Sequence, residues 1–464
     1  MPDTLGKESS HIPFTNINEA IGKYRWTICS LLFFASTINY LDRAVISLLK
    51  PELEIQFNWS ETDYANIVIA FQFSYAVGML LAGRFIDKVG TKIGYAVSLI
   101  LWSLAAIGHA AVRSTLGFLI ARAALGISEA GNFPAAIKTT AEWFPKKERA
   151  FATGIFNSGT NIGAILAPLT VPFIAAKWGW EWAFIITGSF GLIWLIFWFL
   201  FYEIPSKQKR LSKKEYDYIH SDLDEIETPP LTTPGLTGNI VPGKRVSWFN
   251  LLNYNQTWAF ILGKFLTDPV WWFYLFWLPA FLQAEYGIEG TGLALPVALV
   301  YTLSSIGSVF GGWLPMYFIK NNWPVYRARK TSMLIYAFLV IPVVFAQLLG
   351  SINMWLAVMI IGLAAAAHQA WSANIFTTVS DMFPKKTVAS VTGMGGMAGA
   401  LGGILIAFLA GKLFDHYKAL GNIESGYYIM FIICGSAYLL AWVLMHFLAP
   451  KMKRIHFNQN NKQL

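Results

Sequence analysis

The sequence predicts an all-α integral membrane protein: twelve transmembrane helices in two six-helix halves, with the N- and C-termini cytoplasmic. Three observations predict it. Of the 464 residues, 55% are apolar and 13% charged, about half the charged share of an average soluble domain. Apolar runs long enough to cross a bilayer recur twelve times. The Lys and Arg residues fall almost entirely in alternate connections. The composition excludes a water-soluble enzyme of this length, which needs far more polar surface to cover its core. It also excludes a disordered chain, which would be poor in apolar residues.

A span needs about 20 mostly apolar residues, because the hydrocarbon core is about 30 Å thick and a helix rises about 1.5 Å per residue. On that criterion the first six spans cover 26–48, 64–86, 93–112, 116–137, 151–174 and 181–202. The second six cover 257–282, 293–319, 331–350, 353–378, 390–411 and 427–449. Residues 1–202 then form the N-terminal half and 256–464 the C-terminal half. Between them, 203–255 is a charged cytoplasmic linker rich in Pro and Gly, including Asp222, Asp224, Glu225 and Glu227. Residues 1–24 lack the apolar core of a cleaved signal peptide, so the first span is expected to act as the entry signal.

Orientation follows from the basic residues, which concentrate in cytoplasmic loops. Of the 35 Lys and Arg, 27 lie on the side of the two termini. Five lie opposite, namely Lys50, Arg113, Lys177, Lys412 and Lys418, and three lie at membrane depth, namely Arg43, Arg122 and Lys264. This distribution accounts for the net charge of +9 without a nucleic-acid partner. Cys29 and Cys434 sit inside apolar runs, so neither a disulfide framework nor a cysteine metal site is expected. No nucleotide loop, paired-histidine metal spacing or nucleophile elbow stands out, so neither catalytic residues nor metal ligands are predicted.

The halves repeat. At a constant offset of 239, residues 144–166 and 383–405 share ten identities, among them the Phe-Pro-Lys-Lys runs at 144 and 383, Gly154/Gly393 and Gly163/Gly402. Such a duplication places a binding site at the interface of the halves near the bilayer midplane.

The charged residues inside spans are the candidate functional groups, because an ionisable side chain at mid-bilayer costs several kcal/mol unless paired or hydrated. Span 1 carries Asn39-Tyr40-Leu41-Asp42-Arg43, and span 4 carries Arg122 and Glu129 two helical turns apart on one face. Span 7 carries Lys264 and Asp268 at the spacing of an intrahelical pair, and span 10 carries His368 and Gln369. These are either ion pairs that fix helix packing or functional groups. Buried pairs add little net stability over apolar packing, which argues against stability alone as the reason for so many. His109, near the outer end of span 3, reads as an interface residue.

After span 2 the chain reads Gly83-Arg84-Phe85-Ile86-Asp87-Lys88-Val89-Gly90-Thr91-Lys92. This resembles the Gly-x-x-x-Asp-x-x-Gly-x-Lys/Arg signature of the major facilitator superfamily, with Gly83, Asp87, Gly90 and Lys92 in its gating positions. Gly411 to Asp415 is a degenerate echo. Tyr40-Leu41-Asp42-Arg43 with Arg122 and Glu129 resembles the anion:cation symporter family within that superfamily. Gly90 to Ala96, Glu142 to Arg149, Phe184 to Gly188, Phe265 to Trp271 and His368-Gln369-Ala370 are similar to bacterial hexuronate transporters.

The resemblance implies proton-coupled import of an anionic sugar acid across a bacterial inner membrane by a monomer. The lipid bilayer would be its surroundings and the proton, rather than a cofactor, its coupling ion. Carried over by position, Asp42 and Glu129 are the protonation sites and Arg122 sets their proton affinity. Arg43, with Tyr40 beside it, meets the substrate carboxylate. The acid at Asp42 is a feature of the aldonate and aldarate branch more than of hexuronate transporters, so galactonate and glucarate stay open as substrates. Lys264 either reaches the substrate with Arg43 or is neutralised by Asp268. Gln72, Tyr75, Asn157, Thr160, Asn161, His368, Gln369 and Asn374 either bond sugar hydroxyls or join helices. Trp271-Trp272-Phe273-Tyr274 either stacks on a sugar ring or packs. A transporter-like sensor that binds without moving its ligand is the remaining alternative.

Overall fold

The computed structural model describes residues 21–59, 61–221, 247–288 and 290–455, and the acidic stretch of the linker at 222–227 lies outside them. Before the linker run α1 Tyr24–Phe57, α2 Glu61–Val89, α3 Thr91–Gly108, α4 Thr115–Glu129, α5 Asn132–Trp143, α6 Lys146–Trp178 and α7 Trp180–Phe201. The short α8 Lys213–Ile219 and α9 Trp248–Leu252 follow. After them come α10 Asn255–Tyr286, α11 Ala294–Lys320, α12 Val325–Val340, α13 Ala346–Gly350, α14 Met354–Met382, α15 Val388–Ala419 and α16 Ile423–Leu448. Among the described residues there is no strand. Ten of the described helical segments are long and apolar enough to cross a membrane.

Two predicted spans are broken, each for a local reason. Span 4 becomes α4 and α5, parted at Ala130-Gly131. Gly131 packs directly on the Ser98 hydroxyl, and Pro134 has no N–H to carry the helical ladder back across the break. Span 9 becomes α12 and α13, joined by a 3₁₀ turn at Ile341–Phe345, where Pro342 likewise cannot donate. Several helices outrun their predicted spans: α1 and α6 have 34 and 33 residues, more than a hydrocarbon core requires.

The contact between the helices before the linker and those after it rests on glycine. α2 packs along α15, and α6 along α11 and α14. Gly83 faces the Ala389 carbonyl and Gly393 the Met79 carbonyl, while Gly312 faces the Ala150 carbonyl and Gly154 the Ser308 carbonyl. A Cβ at any of these four positions would collide with main chain, so the backbones meet only because no side chain intervenes. Gly154 and Gly393 are partners in the sequence repeat, and they make equivalent contacts.

One end of the bundle gathers the described parts of the linker, the start of α1 and a network of charge. Asp87 bonds Lys138 at 2.8 Å and accepts the Ser390 amide at 2.7 Å, so it caps the first turn of α15 from across the interface. Gly90 precedes α3 at φ 87°, a left-handed conformation that glycine adopts readily. Lys92 bonds Glu203 at 2.7 Å, which holds that carboxyl below the usual carboxylate range. Arg149 donates to the Ser380 carbonyl at 2.8 Å, and Arg329 bonds both Asp381, at 3.0 Å, and the Lys146 carbonyl, at 2.7 Å. Glu215 of α8 accepts the amides of Tyr24 and Arg25 and pairs with the Arg25 side chain, capping α1 from the linker.

Two outcomes follow for this linker end. Asp87→Asn leaves the buried Lys138 ammonium without its anion, a change that costs about 3–5 kcal/mol when a buried pair is broken. A cysteine placed at Ser390 is then expected to react with a soluble thiol reagent several-fold faster than in the parent. Gly154→Val and Gly393→Val should each lower the melting temperature of the detergent-solubilised protein to a similar degree. Overpacking of this kind costs about 1–3 kcal/mol, and effects that differ widely would contradict the equivalence of the two contacts.

Candidate functional site

Between the two helix sets lies a polar cavity of about 70 Å³. α1 contributes Tyr40 and Arg43 to its lining, α2 Tyr75 and α6 Asn157 and Thr160. From beyond the linker α10 contributes Lys264, Asp268, Trp271 and Trp272, and α14 contributes His368 and Gln369. Eight of the predicted binding residues thus meet in one place. Gln72 and Asn374 do not line it. Asn374 bonds the Gly311 and Ala370 carbonyls at 2.7 and 2.9 Å and so ties α14 to α11.

Arg43 is the most heavily held group of the site. Its Nε and Nη2 bond one oxygen of Glu129 at 3.1 and 3.0 Å. Its guanidinium lies over the rings of Tyr40, Phe71 and Tyr75 at 4.6, 5.1 and 4.7 Å. Three aromatic faces suit a planar, weakly hydrated cation that must stay charged inside a membrane. Glu129 is fully buried.

Glu129 therefore pairs with Arg43 of α1 and not with Arg122 of its own helix. Seven residues along a helix is a rise of about 10 Å, and the α1 guanidinium is the nearer solution. Arg122 lies over the Phe71 ring at 4.7 Å and donates to the Arg43 carbonyl at 3.4 Å, while its Nε and Nη1 have no hydrogen-bond partner. Asp42 is buried with neither carboxyl oxygen bonded, and the Thr187 hydroxyl faces it without closing a hydrogen bond. A buried carboxyl without a partner is far less costly neutral than charged.

On the opposite wall Lys264 bonds Asp268 at 2.7 Å, and its ammonium stands 4.0 Å over the Phe376 ring. Phe376 stacks in turn on Phe133 of α5, their centroids 5.2 Å apart, so the aromatic support of Lys264 crosses the interface. His368 stacks on Trp271 and shares a 2.5 Å hydrogen bond with the Tyr438 hydroxyl. Asn157 donates to Gln369 at 2.7 Å and to Ser308 at 3.1 Å, which makes it a bridge between the helix sets. Of the aromatic run, Trp271 and Trp272 line the cavity, whereas Phe273 and Tyr274 are buried.

The sequence reading missed Met79, Phe133, Ser372, Phe376, Gly396 and Ala400 in the lining. Ser372 and Phe376 lie one and two turns past His368 on one helical face, a spacing that could have found them. Phe133 and Met79 look like ordinary packing residues, and only the folded interface gives them a place. Among the described residues no group of three or more His, Cys, Asp or Glu gathers to hold a metal.

Comparison with known proteins agrees with this architecture. The family model of the Major Facilitator Superfamily matches residues 32–407. The hexuronate transporter of Escherichia coli strain K12 is 32% identical over 394 residues, which cover 84% of this chain and 88% of that one. The galacturonate transporter of Dickeya chrysanthemi is 36% identical over 296 residues, covering 64% and 83%. Among solved structures, the proton:xylose symporter XylE bound to 6-bromo-6-deoxy-D-glucose superposes with a TM-score of 0.72 at 16% identity, over 93% of this chain and 97% of that one. The interface cavity, the helical architecture and these likenesses together assign the chain to the major facilitator superfamily, as a transporter and not an enzyme.

Proposed function

We infer that this transporter imports a hexuronate, galacturonate or glucuronate, together with protons across a bacterial inner membrane. In this reading all twelve predicted spans cross, α4–α5 and α10 included, and both termini face the cytoplasm. Residues 1–202 and 256–464 are the two halves, joined by a cytoplasmic linker at 203–255. The observation that carries the reading is the pair of cations in one cavity, Arg43 from before the linker and Lys264 from beyond it. A sugar acid needs a cation for its carboxylate, donors and acceptors for its hydroxyls and an aromatic face for its ring. Asn157, Thr160, Gln369 and Trp271 are placed to supply the last two.

The mechanism follows from the charges. Glu129 holds Arg43 while it is ionised, so a proton on Glu129 loosens that hold and leaves the guanidinium for the substrate carboxylate. Asp42, unpartnered, is the second carboxyl suited to carry a proton. Small-molecule pockets commonly measure about 300–1,000 Å³, so the 70 Å³ cavity must widen before a sugar acid enters. The linker end is sealed by the four glycine contacts and Asp87, so the substrate enters from the opposite face. Loading then favours rocking of one half against the other until the linker end opens. Proton and anion raise each other's affinity, since linkage is reciprocal. The acid at Asp42 favours one further reading, in which galactonate or glucarate is the substrate of the same symport.

Uptake of labelled galacturonate into proteoliposomes tests both readings. Accumulation is expected only with an inward proton gradient, with unlabelled glucuronate competing better than galactonate or glucarate. The reverse order of competitors selects the second reading, and binding without uptake makes the protein a sensor. Glu129→Gln should abolish accumulation against a gradient while leaving counterflow; a variant that still concentrates substrate removes Glu129 from coupling. Lys264→Gln should raise the half-saturating galacturonate concentration at least tenfold, and an unchanged value removes Lys264 from the site.

A further inference from the structure

The two cations of the cavity are held very differently. Arg43 bonds Glu129 through two nitrogens and lies on three aromatic rings. Lys264 is a flexible point charge held by one carboxylate and one ring. Its partner Asp268 is itself part of the cavity wall, whereas Glu129 lies behind Arg43 and is fully buried. Asp268 is seated by a glycine: its carboxylate rests directly against Gly399 of α15, where any Cβ would collide with it. Evolution of a simple structural pair would not require the acid to reach the ligand space.

We propose that Asp268 is a proton-accepting counterion: ionised, it holds Lys264, and on taking a proton from water it releases the ammonium to the substrate carboxylate. This rests on the sugar-acid reading given above and adds a coupling carboxyl to it. While Glu129 is ionised and keeps Arg43, the charge balance requires a proton. Lys264 and Asp268 are neutral as a pair, and a monoanionic substrate arriving at Lys264 would leave the site with one net negative charge. In a closing cavity the stranded carboxylate has no second cation to turn to as long as Arg43 stays with Glu129. Facing Asp268 are Tyr40 of α1, Tyr75 of α2 and Tyr438 of α16, with Lys264 on its own helix. His368 of α14 faces Lys264, and Arg43 of α1 is engaged by Glu129. An unpaired buried charge is the costly outcome, and one proton on Asp268 removes it.

The test is the pH dependence of galacturonate affinity, measured calorimetrically on the purified full chain in detergent, with galactonate as the probe if that is what the parent binds. In the parent, affinity should fall with rising pH more steeply than in Asp268→Asn, the slopes differing by about tenfold per pH unit, one proton's worth. Asp268→Asn should also bind more tightly than the parent at alkaline pH, because Lys264 has lost its competitor. Equal slopes, or an affinity lost at every pH as in Lys264→Gln, would overturn the proposal and make the pair structural. A second measurement does not depend on that variant. Asp42→Asn/Arg43→Gln/Glu129→Gln, which removes the other carboxyls together with the cation they hold, should in weak buffer still take up one proton per substrate bound, and no uptake overturns the proposal. A parent that binds none of the sugar acids overturns the sugar-acid reading itself, and with it the role of Asp268. A parent that binds them with equal slopes overturns the role of Asp268 alone.

Discussion

Charge placed in a bilayer must be answered locally, and the interior of this protein is arranged around that constraint. Water, which screens such groups at a protein surface, is scarce at mid-membrane, so each ion draws on carboxylates, ring faces and main-chain carbonyls. Arg43 draws on all of these except a carbonyl, and Arg122 has only a ring and a carbonyl. The consequence is a graded set of groups. Some are ion-paired and fix the packing, as Arg329 and Asp381 are at the linker end. Others, Asp42 above all, are left without a hydrogen-bond partner.

The glycine contacts supply the mechanical side of the same design. Polar and charged networks hold the linker end closed only if the backbones come near enough for Asp87 to reach the Ser390 amide and Arg149 the Ser380 carbonyl. Gly83, Gly154, Gly312 and Gly393 allow that approach on both sides of the interface. At these contacts main chain meets main chain, and short polar bonds join the helices beside them. The proposed cycle opens this end at every turn, and such a seam would serve it.

Much of this was legible in the chain. Hydropathy alone gives most of the helices, and the repeat points to Gly154 and Gly393 as equivalent before any contact is known. Charges within spans pointed to Arg43, Lys264 and their carboxylates, because their cost in lipid is independent of the fold. The pairing was not legible: Glu129 and Arg122 share a helix, and nothing in their spacing reveals that a guanidinium from α1 intervenes. Nor was the breaking of span 4, since Ala130-Gly131 is apolar and hydropathy does not sense Pro134's missing donor. Asn374 looked like Asn157 by type and depth, yet one secures a helix contact and the other faces the cavity. A polar residue's role in a membrane depends on which helix covers it, and single-chain periodicity does not carry that.

The asymmetry between the two walls bears on how such a site could be both selective and reversible. An anion site made of two clamped cations would bind poorly, because each cation would keep its internal partner. A site of two unpaired cations would bind too well and would cost too much to keep empty in a membrane. Here one cation is fixed and oriented, and the other is held by a single carboxylate of the cavity wall. In the proposed site the guanidinium, fixed until Glu129 takes a proton, gives geometry and the exchangeable ammonium gives reversibility. In the proposed symport each release of a cation leaves a carboxylate that favours a proton, so anion binding and proton binding would be the same event seen from two sides of an ion pair.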